Sequence, residues 1–360
     1  MRYVNTKATK RMESYRVRHG PQQGQPCLLL PLSFGVSSVS LLHLLDTQLR
    51  GQTERMNRTG YRLHVAHIDM SGVEPSLANP ENHLEALQQR YPDHRYTCVP
   101  LADIFRPKYA TCISYLQDFC QDDESLARLS NQDKLNRLLA ILPSATSRSD
   151  IISFIRTELL TDIAKTNACE SIIWGHSTTT LAEKTLAETA KGRGFSLPWQ
   201  VSDGPVLAGL AFNYPLRDLL KKELLAYSAL TEPPLTPFII AQPPPARVSA
   251  SAKNTTIDDL LADYFSTVED TFPSIVANVV RTSGKLKALP KDEAGQRCGL
   301  CRMPTAADSF GLHGWGGDQE LTSQNKAADG ATVQLDSTLC YGCARATLNL
   351  SLDCQIRPSA

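Results

Sequence analysis

Four cysteines in two C-x-x-C pairs, Cys298-Gly299-Leu300-Cys301 and Cys340-Tyr341-Gly342-Cys343, are the residues of this chain best spaced for chemistry. Two such knuckles can present four thiolates to one tetrahedral ion. They stand 38 residues apart, but residues 311–330 between them are polar and Gly-rich, as an inserted loop would be, and Pro304 suits a tight turn after the first knuckle. Loop length costs entropy only logarithmically. Structural zinc is the first reading; a redox dithiol, an iron–sulfur cluster and unpaired thiols are its competitors. His313 and Cys354 are spare ligands that read as bystanders.

Two strand–loop–helix junctions form the second chemical pattern. The first runs from the apolar Cys27–Pro31 through Ser33-Phe34-Gly35-Val36-Ser37-Ser38 into Val39, Leu42 and Leu45, which have helical spacing. Ser37 or Ser38 is placed to cap that helix. Such a junction aims backbone N–H groups and the positive end of a helix dipole at one point, which suits phosphate. Without a ligand it is an ordinary turn. The second junction reads Ser171–Trp174 as strand and Gly175–Thr179 as loop, followed by a helix with capping-box spacing at Thr180 and Glu183. His176 stands at the strand's carboxyl end, either as a chemical group or as a hydrogen-bonded loop histidine. Asp69, at the end of another strand, is a ribose or metal group or a turn former.

The elements that must position these groups follow from periodicity. Tyr61–Asp69 and Tyr96–Leu101 read as strands, and residues 80–91 as a helix. Asn131–Leu142 and Asp150–Lys165 carry leucine and isoleucine at helical spacing. Strands alternating with helices imply crossover units, a parallel sheet and a ligand edge at the strands' carboxyl ends. Residues 2–18 are basic, with Arg2, Lys7, Lys10, Arg11, Arg16 and Arg18 against Glu13, so the segment suits either a nucleic-acid face or a solvated helix. Residues 20–26 read as a turn-rich connector. Residues 257–287 read as helical with a basic end at Arg281, Lys285 and Lys287. Lys and Arg total 37 and so do Asp and Glu, so bulk charge announces no nucleic-acid partner and any such surface is a local patch. No run reaches the length of a membrane span and no signal-peptide core is present, which points to the cytosol and to free or metal-bound thiols.

The residues at both junctions carry a resemblance. Ser33–Ser38 resembles the Ser-Gly-Gly-x-Asp-Ser loop of the PP-loop ATP pyrophosphatases, with Phe34 for the first glycine and Ser37 for the aspartate. Gly175-His176-Ser177-Thr178-Thr179-Thr180, then Ala182-Glu183, resembles the Gly-His-Asn-x-Asp-Asp junction of the tRNA thiolases with its acids replaced. Asn5–Lys7, Lys10–Arg16, Gly192–Trp199, Asp203 and Tyr214–Leu219 extend the match over nearly the whole chain. Most specifically it resembles the cytoplasmic tRNA 2-thiolation protein 2 family, the second subunits of the eukaryotic wobble-uridine thiolase.

The resemblance implies an α/β fold with a doubly wound parallel sheet of PP-loop, adenine nucleotide alpha hydrolase-like type and a small C-terminal zinc-binding region. The expected organisation is a basic segment over 1–26, a degenerate PP-loop domain over 27–235, a Pro-rich linker over 236–256, a helical segment over 257–290 and a four-cysteine, zinc-ribbon-like region over 291–360. It implies a heterodimer with a catalytic PP-loop subunit that 2-thiolates the wobble uridine of cytosolic Lys, Glu and Gln tRNAs, with sulfur from a thiocarboxylated ubiquitin-related modifier. Thiolation needs an activated O2 leaving group and a sulfur nucleophile. Here the loop holds Phe34, the acids are Ser and Thr, and 121–168 has no cysteine, whereas catalytic relatives place one there. The expectation is therefore a non-catalytic subunit. Its degenerate nucleotide loop is Ser33, Gly35, Ser37, Ser38, Gly175 and His176; its RNA contacts are Lys7, Lys10, Arg11 and Arg16; its metal ligands are Cys298, Cys301, Cys340 and Cys343. ATP binding is disfavoured. An active sulfurtransferase and a scaffold without RNA contact are the alternatives. Second subunits of the family usually also carry N-terminal cysteine knuckles; residues 1–26 hold none, which implies a shortened N-terminus or a member without that site.

Overall fold

Leu28, Leu29 and Leu30 are fully buried, which suits a strand covered on both faces. They form β1 (Cys27–Pro31), flanked in parallel by β2 (Arg62–Asp69) and β4 (Cys169–Ile173). β3 (Arg95–Pro100) adds in parallel to β2, and β6 (Leu210–Asn213) in parallel to β4; β5 (Gly204–Leu207) closes that edge antiparallel to β6. The order is β3-β2-β1-β4-β6-β5. The computed structural model describes residues 1–17, 24–74, 80–109, 128–207, 209–240, 255–288, 297–305 and 339–347. Arg18, the first part of the connector, most of the Pro-rich linker, the 311–330 loop, His313 and Cys354 lie outside them. The four parallel strands expected from sequence, β1 to β4, sit within two residues of their observed bounds. β5 and β6 were not expected, since four-residue strands carry too little periodicity to read.

Helices cover both faces, as a doubly wound sheet requires. One core layer holds side chains from α1 (Arg2–Arg11), α2 (Val36–Met56), α3 (Pro80–Arg90) and α7 (Lys221–Leu230). The other holds α4 (Asn131–Ile141), α5 (Ala145–Thr166), α6 (Thr178–Ala190), α8 (Ile257–Thr271) and α9 (Pro273–Ser283). Both cysteine knuckles, with α10 (Tyr341–Ala346), belong to this second layer. The chain leaves β1 for β2 on one side and reaches β4 on the other. The loops after β1 and β4 therefore flank the point where strand order reverses, where ligands of open α/β sheets bind.

Candidate functional site: two junctions, a basic cleft and a thiol cluster

The loop after β1 is closed on itself. Ser33 N–H donates to Ser38 Oγ at 3.3 Å, Ser38 Oγ donates to the Gly35 carbonyl at 3.1 Å, and the Ser33 and Ser38 hydroxyls lie 3.2 Å apart. Gly35 occupies the N-cap position of α2 without a side-chain cap, so Ser37 and Ser38 lie inside the first turn and neither caps it as the sequence suggested. The helix begins earlier because Gly35 itself takes the extended capping conformation (φ −74°, ψ 159°).

Phe34 keeps the left-handed backbone, φ 55°, that suits the glycine whose place it takes. The ring is 1% exposed and packs on His67 (centroids 4.7 Å) and His83 (5.8 Å), while its carbonyl accepts from Ile240 N–H at 2.9 Å. Backbone strain at this position is offset by burial of an aromatic side chain. Phe34→Gly should relax the first and lose the second. Loss of a buried Phe costs about 3 kcal/mol, and relief of left-handed strain offsets roughly 1 of it. A net destabilisation of about 2 kcal/mol is the expected outcome of a urea melt.

The second junction lies against the first. A Cβ on Gly175 would sit 2.9 Å from Ser38 Cα, so only glycine permits the approach. Beyond it, the hydroxyl residues that follow His176 are engaged within the fold. Ser177 caps α6 by accepting from Thr180 N–H, so no Thr180–Glu183 box forms. Thr178 Oγ1 donates to the Arg217 carbonyl (2.8 Å). Thr179 Oγ1 donates to Glu269 of α8 (3.0 Å) and accepts from Lys221 N–H (3.0 Å). Ser177, Thr178 and Thr179 are buried. Asp69, likewise, accepts from Ser71 N–H and Ser71 Oγ, a turn-forming pattern.

His176 turns to the α5–α6 face. Its ring stacks between Trp174 (5.3 Å) and Tyr214 (5.6 Å), and its buried Nδ1 has no partner among the described residues. Burial, then Lys184 and Arg156, hold it well below the ordinary histidine range, so the ring is neutral at physiological pH. It lines a cavity of about 730 Å³ with Arg156, Glu183 and Lys184, and the first cysteine knuckle forms one wall through Leu300, Cys301 and Met303. Burial pushes Lys184 down to about 8. Sequence reasoning missed Arg156 and Lys184, because single cations on amphipathic helices carry no motif.

The N-terminal cations are divided. Arg11 is held by Asp218 (2.6 and 2.7 Å) and Arg16 by Glu13 (3.2 Å). Lys7 lies over the Tyr3 ring, and Lys10 is exposed. Lys7 and Arg11 line a cleft of about 530 Å³ with Arg217, Asp218, Arg281 and Thr178, so the basic N-terminus and the basic end of α9 converge beside the second junction.

The four knuckle cysteines meet. All are buried, and their sulfurs lie within 4.8 Å of one another. Cys301 and Cys340 Sγ stand 3.9 Å apart, and Cys340 N–H donates to Cys298 Sγ at 3.3 Å. Four sulfurs about 2.3 Å from one tetrahedral ion would stand roughly 3.8 Å apart, so the donor set fits a single ion. Hydrogen bonds from Cys301, Cys340 and Cys343 draw the Cys298 thiol far below its ordinary pKa.

The knuckle is keyed to the fold by Arg193, which is 0% exposed. Its guanidinium pairs with both carboxylate oxygens of Asp150 (2.9 Å each) and with Glu188 (2.7 and 3.0 Å), and Lys191 joins Asp150 to Asp258. Gly342 of α10 leaves room for the Arg193 stem: a Cβ there would lie 2.5 Å from Arg193 Cγ. Gly192 (φ 75°) faces the Tyr341 ring in the same way.

A family model for cytoplasmic tRNA 2-thiolation protein 2 matches residues 256–345. The protein of that name from Phaeosphaeria nodorum is 48% identical over 349 residues, covering 96% of this chain and 87% of the relative. Its namesake from Ajellomyces capsulatus is 38% identical over 357 residues, covering 97% and 95%. Both carry "cytoplasmic" in their names, and among the described residues no helix is long and apolar enough to cross a membrane. The U34-tRNA thiolase NcsA from Methanococcus maripaludis, solved with its [4Fe-4S] cluster, superposes with a TM-score of 0.51 over 84% of each chain at 13% identity, which supports the PP-loop fold alone. Identity at this level over almost the full length, on a sheet with two modified strand–loop–helix junctions and a buried thiol cluster, means that the chain belongs to the cytoplasmic tRNA 2-thiolation protein 2 family.

Proposed function

We propose that this protein acts in tRNA 2-thiolation as a required, non-catalytic subunit of a heterodimer. Its partner is the catalytic PP-loop subunit, the target is the wobble uridine of cytosolic Lys, Glu and Gln tRNAs, and sulfur arrives from a thiocarboxylated ubiquitin-related modifier. The observation that carries the reading is the second junction. Thr179 stands where the thiolases have an acid, so the junction has no carboxylate of its own for magnesium; its hydroxyl holds Glu269 and the start of α7, and both oxygens of Glu269 accept from protein donors, Thr179 Oγ1 and Lys222 N–H. The ring of Phe34 and the closed serine loop support it from the other side.

The test is 2-thiouridine content in cells lacking the chain, rescued with wild type or with the Ser33→Ala/Ser38→Ala variant. Lost thiolation on deletion with full rescue by the variant is the expected result. A folded, partner-bound variant that fails to rescue would restore the sulfurtransferase reading.

The tRNA surface is the basic N-terminal segment, Lys7, Lys10, Arg11 and Arg16, together with the cleft that Lys7 and Arg11 line with Arg281. Lys7→Ala/Lys10→Ala in the heterodimer should weaken tRNA binding across sequences and lower the slope of log affinity against log salt by about one per lost phosphate contact. An unchanged slope would favour a scaffold that touches no RNA. At the four-cysteine cluster the ion is zinc: four buried thiolates around one centre suit it and fill its tetrahedral coordination. A cubane cluster spreads its ligands over separate iron corners, which sulfurs all within 4.8 Å of one another do not match.

A further inference from the structure

At the opposite edge of the sheet, where the strands begin, Cys27 of β1, His64 of β2 and Cys169 of β4 place two sulfurs and an imidazole nitrogen within 4.8 Å of one another. Two neighbouring core cysteines would by themselves be ordinary packing. Three features of this group are not.

The first is a bulge. Leu28 pairs with Ser171, so an unbroken register would set Cys27 beside Glu170; the register shifts between Cys27 and Leu28, and Cys27 pairs with Cys169 instead. The irregularity re-aims one side chain and brings the two sulfurs to 3.2 Å. The second is the imidazole. His64 pairs with Leu29, two residues from Cys27 and on the same face. Its Nε2 is held at 2.8 Å by the Thr97 hydroxyl of β3, while Nδ1 is buried and has no hydrogen-bond partner. A ring fixed through one nitrogen with the other left bare is how metal-ligating histidines are oriented. The third is access. Cys169 and His64 are buried, whereas Cys27 and His64 also line a cavity of about 500 Å³ bordered by Arg50, Arg62, His94 and Arg95.

We propose that Cys27, His64 and Cys169 form a second metal site, a set of two thiolates and one imidazole for zinc whose fourth position faces this cavity and takes water or an exchangeable ligand. The donor types suit zinc. Bond lengths of about 2.3 Å to sulfur and 2.0 Å to nitrogen need donor separations of roughly 3.5 to 3.8 Å, so the sulfurs move apart by about half an ångström on binding. Unlike the closed knuckle, this site would exchange its ion through the cavity.

The test is metal content of the full-length chain, purified under reducing conditions and equilibrated with Zn²⁺, then with Co²⁺ as an optical probe. Two ions per chain are expected for wild type. One is expected for Cys27→Ser/Cys169→Ser and one for Cys298→Ser/Cys301→Ser, the latter retaining cobalt–thiolate absorption. Thr97→Val, which removes only the hydroxyl that holds the ring, should weaken the exchangeable ion's affinity about 10- to 100-fold. One ion in wild type, unchanged in Cys27→Ser/Cys169→Ser, would overturn the proposal, as would one ion together with a Cys27–Cys169 disulfide found by mass spectrometry. Should Cys27→Ser/Cys169→Ser fail to fold, the wild-type count and the ion kept by the Cys298→Ser/Cys301→Ser variant decide.

Discussion

Arg193→Ala should lower stability by about 3–5 kcal/mol, the cost of leaving buried charge uncompensated. In a chain of this size that corresponds to a melting temperature roughly 4–7 °C lower. Asp150 and Glu188 lose their bidentate partner while remaining 4% and 7% exposed, and Lys191 can answer only part of their charge. The effect should spread, because the Arg193 stem also packs under Gly342 and so seats α10. Arg193→Lys should recover little, since an ammonium cannot match both carboxylates with a planar fork. Arg11→Ala is the control. It breaks an ion pair whose partners are 37% and 38% exposed, a class worth under about 1 kcal/mol.

The same network sets an acid limit. Burial alone would raise the Glu188 pKa, but the charge and hydrogen bonds of Arg193, with Lys191, outweigh it and bring the group down to about 2. A carboxylate depressed in the folded state contributes stability above its unfolded value, near 4.5, and that contribution is lost as pH falls towards 2. Wild-type stability should therefore fall across this range, and Arg193→Ala should fall less steeply. A shift of under about 2 °C for the alanine variant at neutral pH would mean that the network is not what holds this face together.

Cys298→Ser/Cys301→Ser should release the knuckle ion and free residues 297–305 and 339–347 to proteolysis while the sheet stays folded. Structural zinc sites contribute on the order of 10 kcal/mol to the segments they close. Here Cys298, Cys301, Cys340 and Cys343 are themselves core residues packed with α5 and α6, so some order should survive. The expected signature is graded: early cleavage at the knuckles, a lower melting temperature and a widened cavity beside His176, whose wall Cys301 and Met303 supply. A strong chelator should reproduce it in the wild type. Knuckles that resist protease after chelation, with disulfides in their mass spectrum, would return the cluster to the dithiol reading.

Much of the architecture was legible because it is local. Alternating apolar runs and helical spacings placed β1 to β4 and the helices between them, and parallel order followed from their alternation. Phe34 in a glycine's place and Ser or Thr in place of acids could be read directly, since the chemistry of a residue type does not depend on where the chain takes it. The caps could not: Gly35 and Ser177, rather than Ser37, Ser38 or a Thr180–Glu183 box, end the competition for the first helical N–H groups, and that choice depends on where the preceding strand stops. Tertiary structure alone decided what each side chain meets. Thr179 finds Glu269 90 residues away, and Arg193 finds Asp150 across two helices. Arg11 meets Asp218, 207 residues away. Cys27 and Cys169, 142 residues apart, become neighbours through one bulge, with His64 delivered by the next strand. Propensity acts over a few residues, whereas these pairings come from crossover and register, which bring distant residue types together without leaving a pattern along the chain.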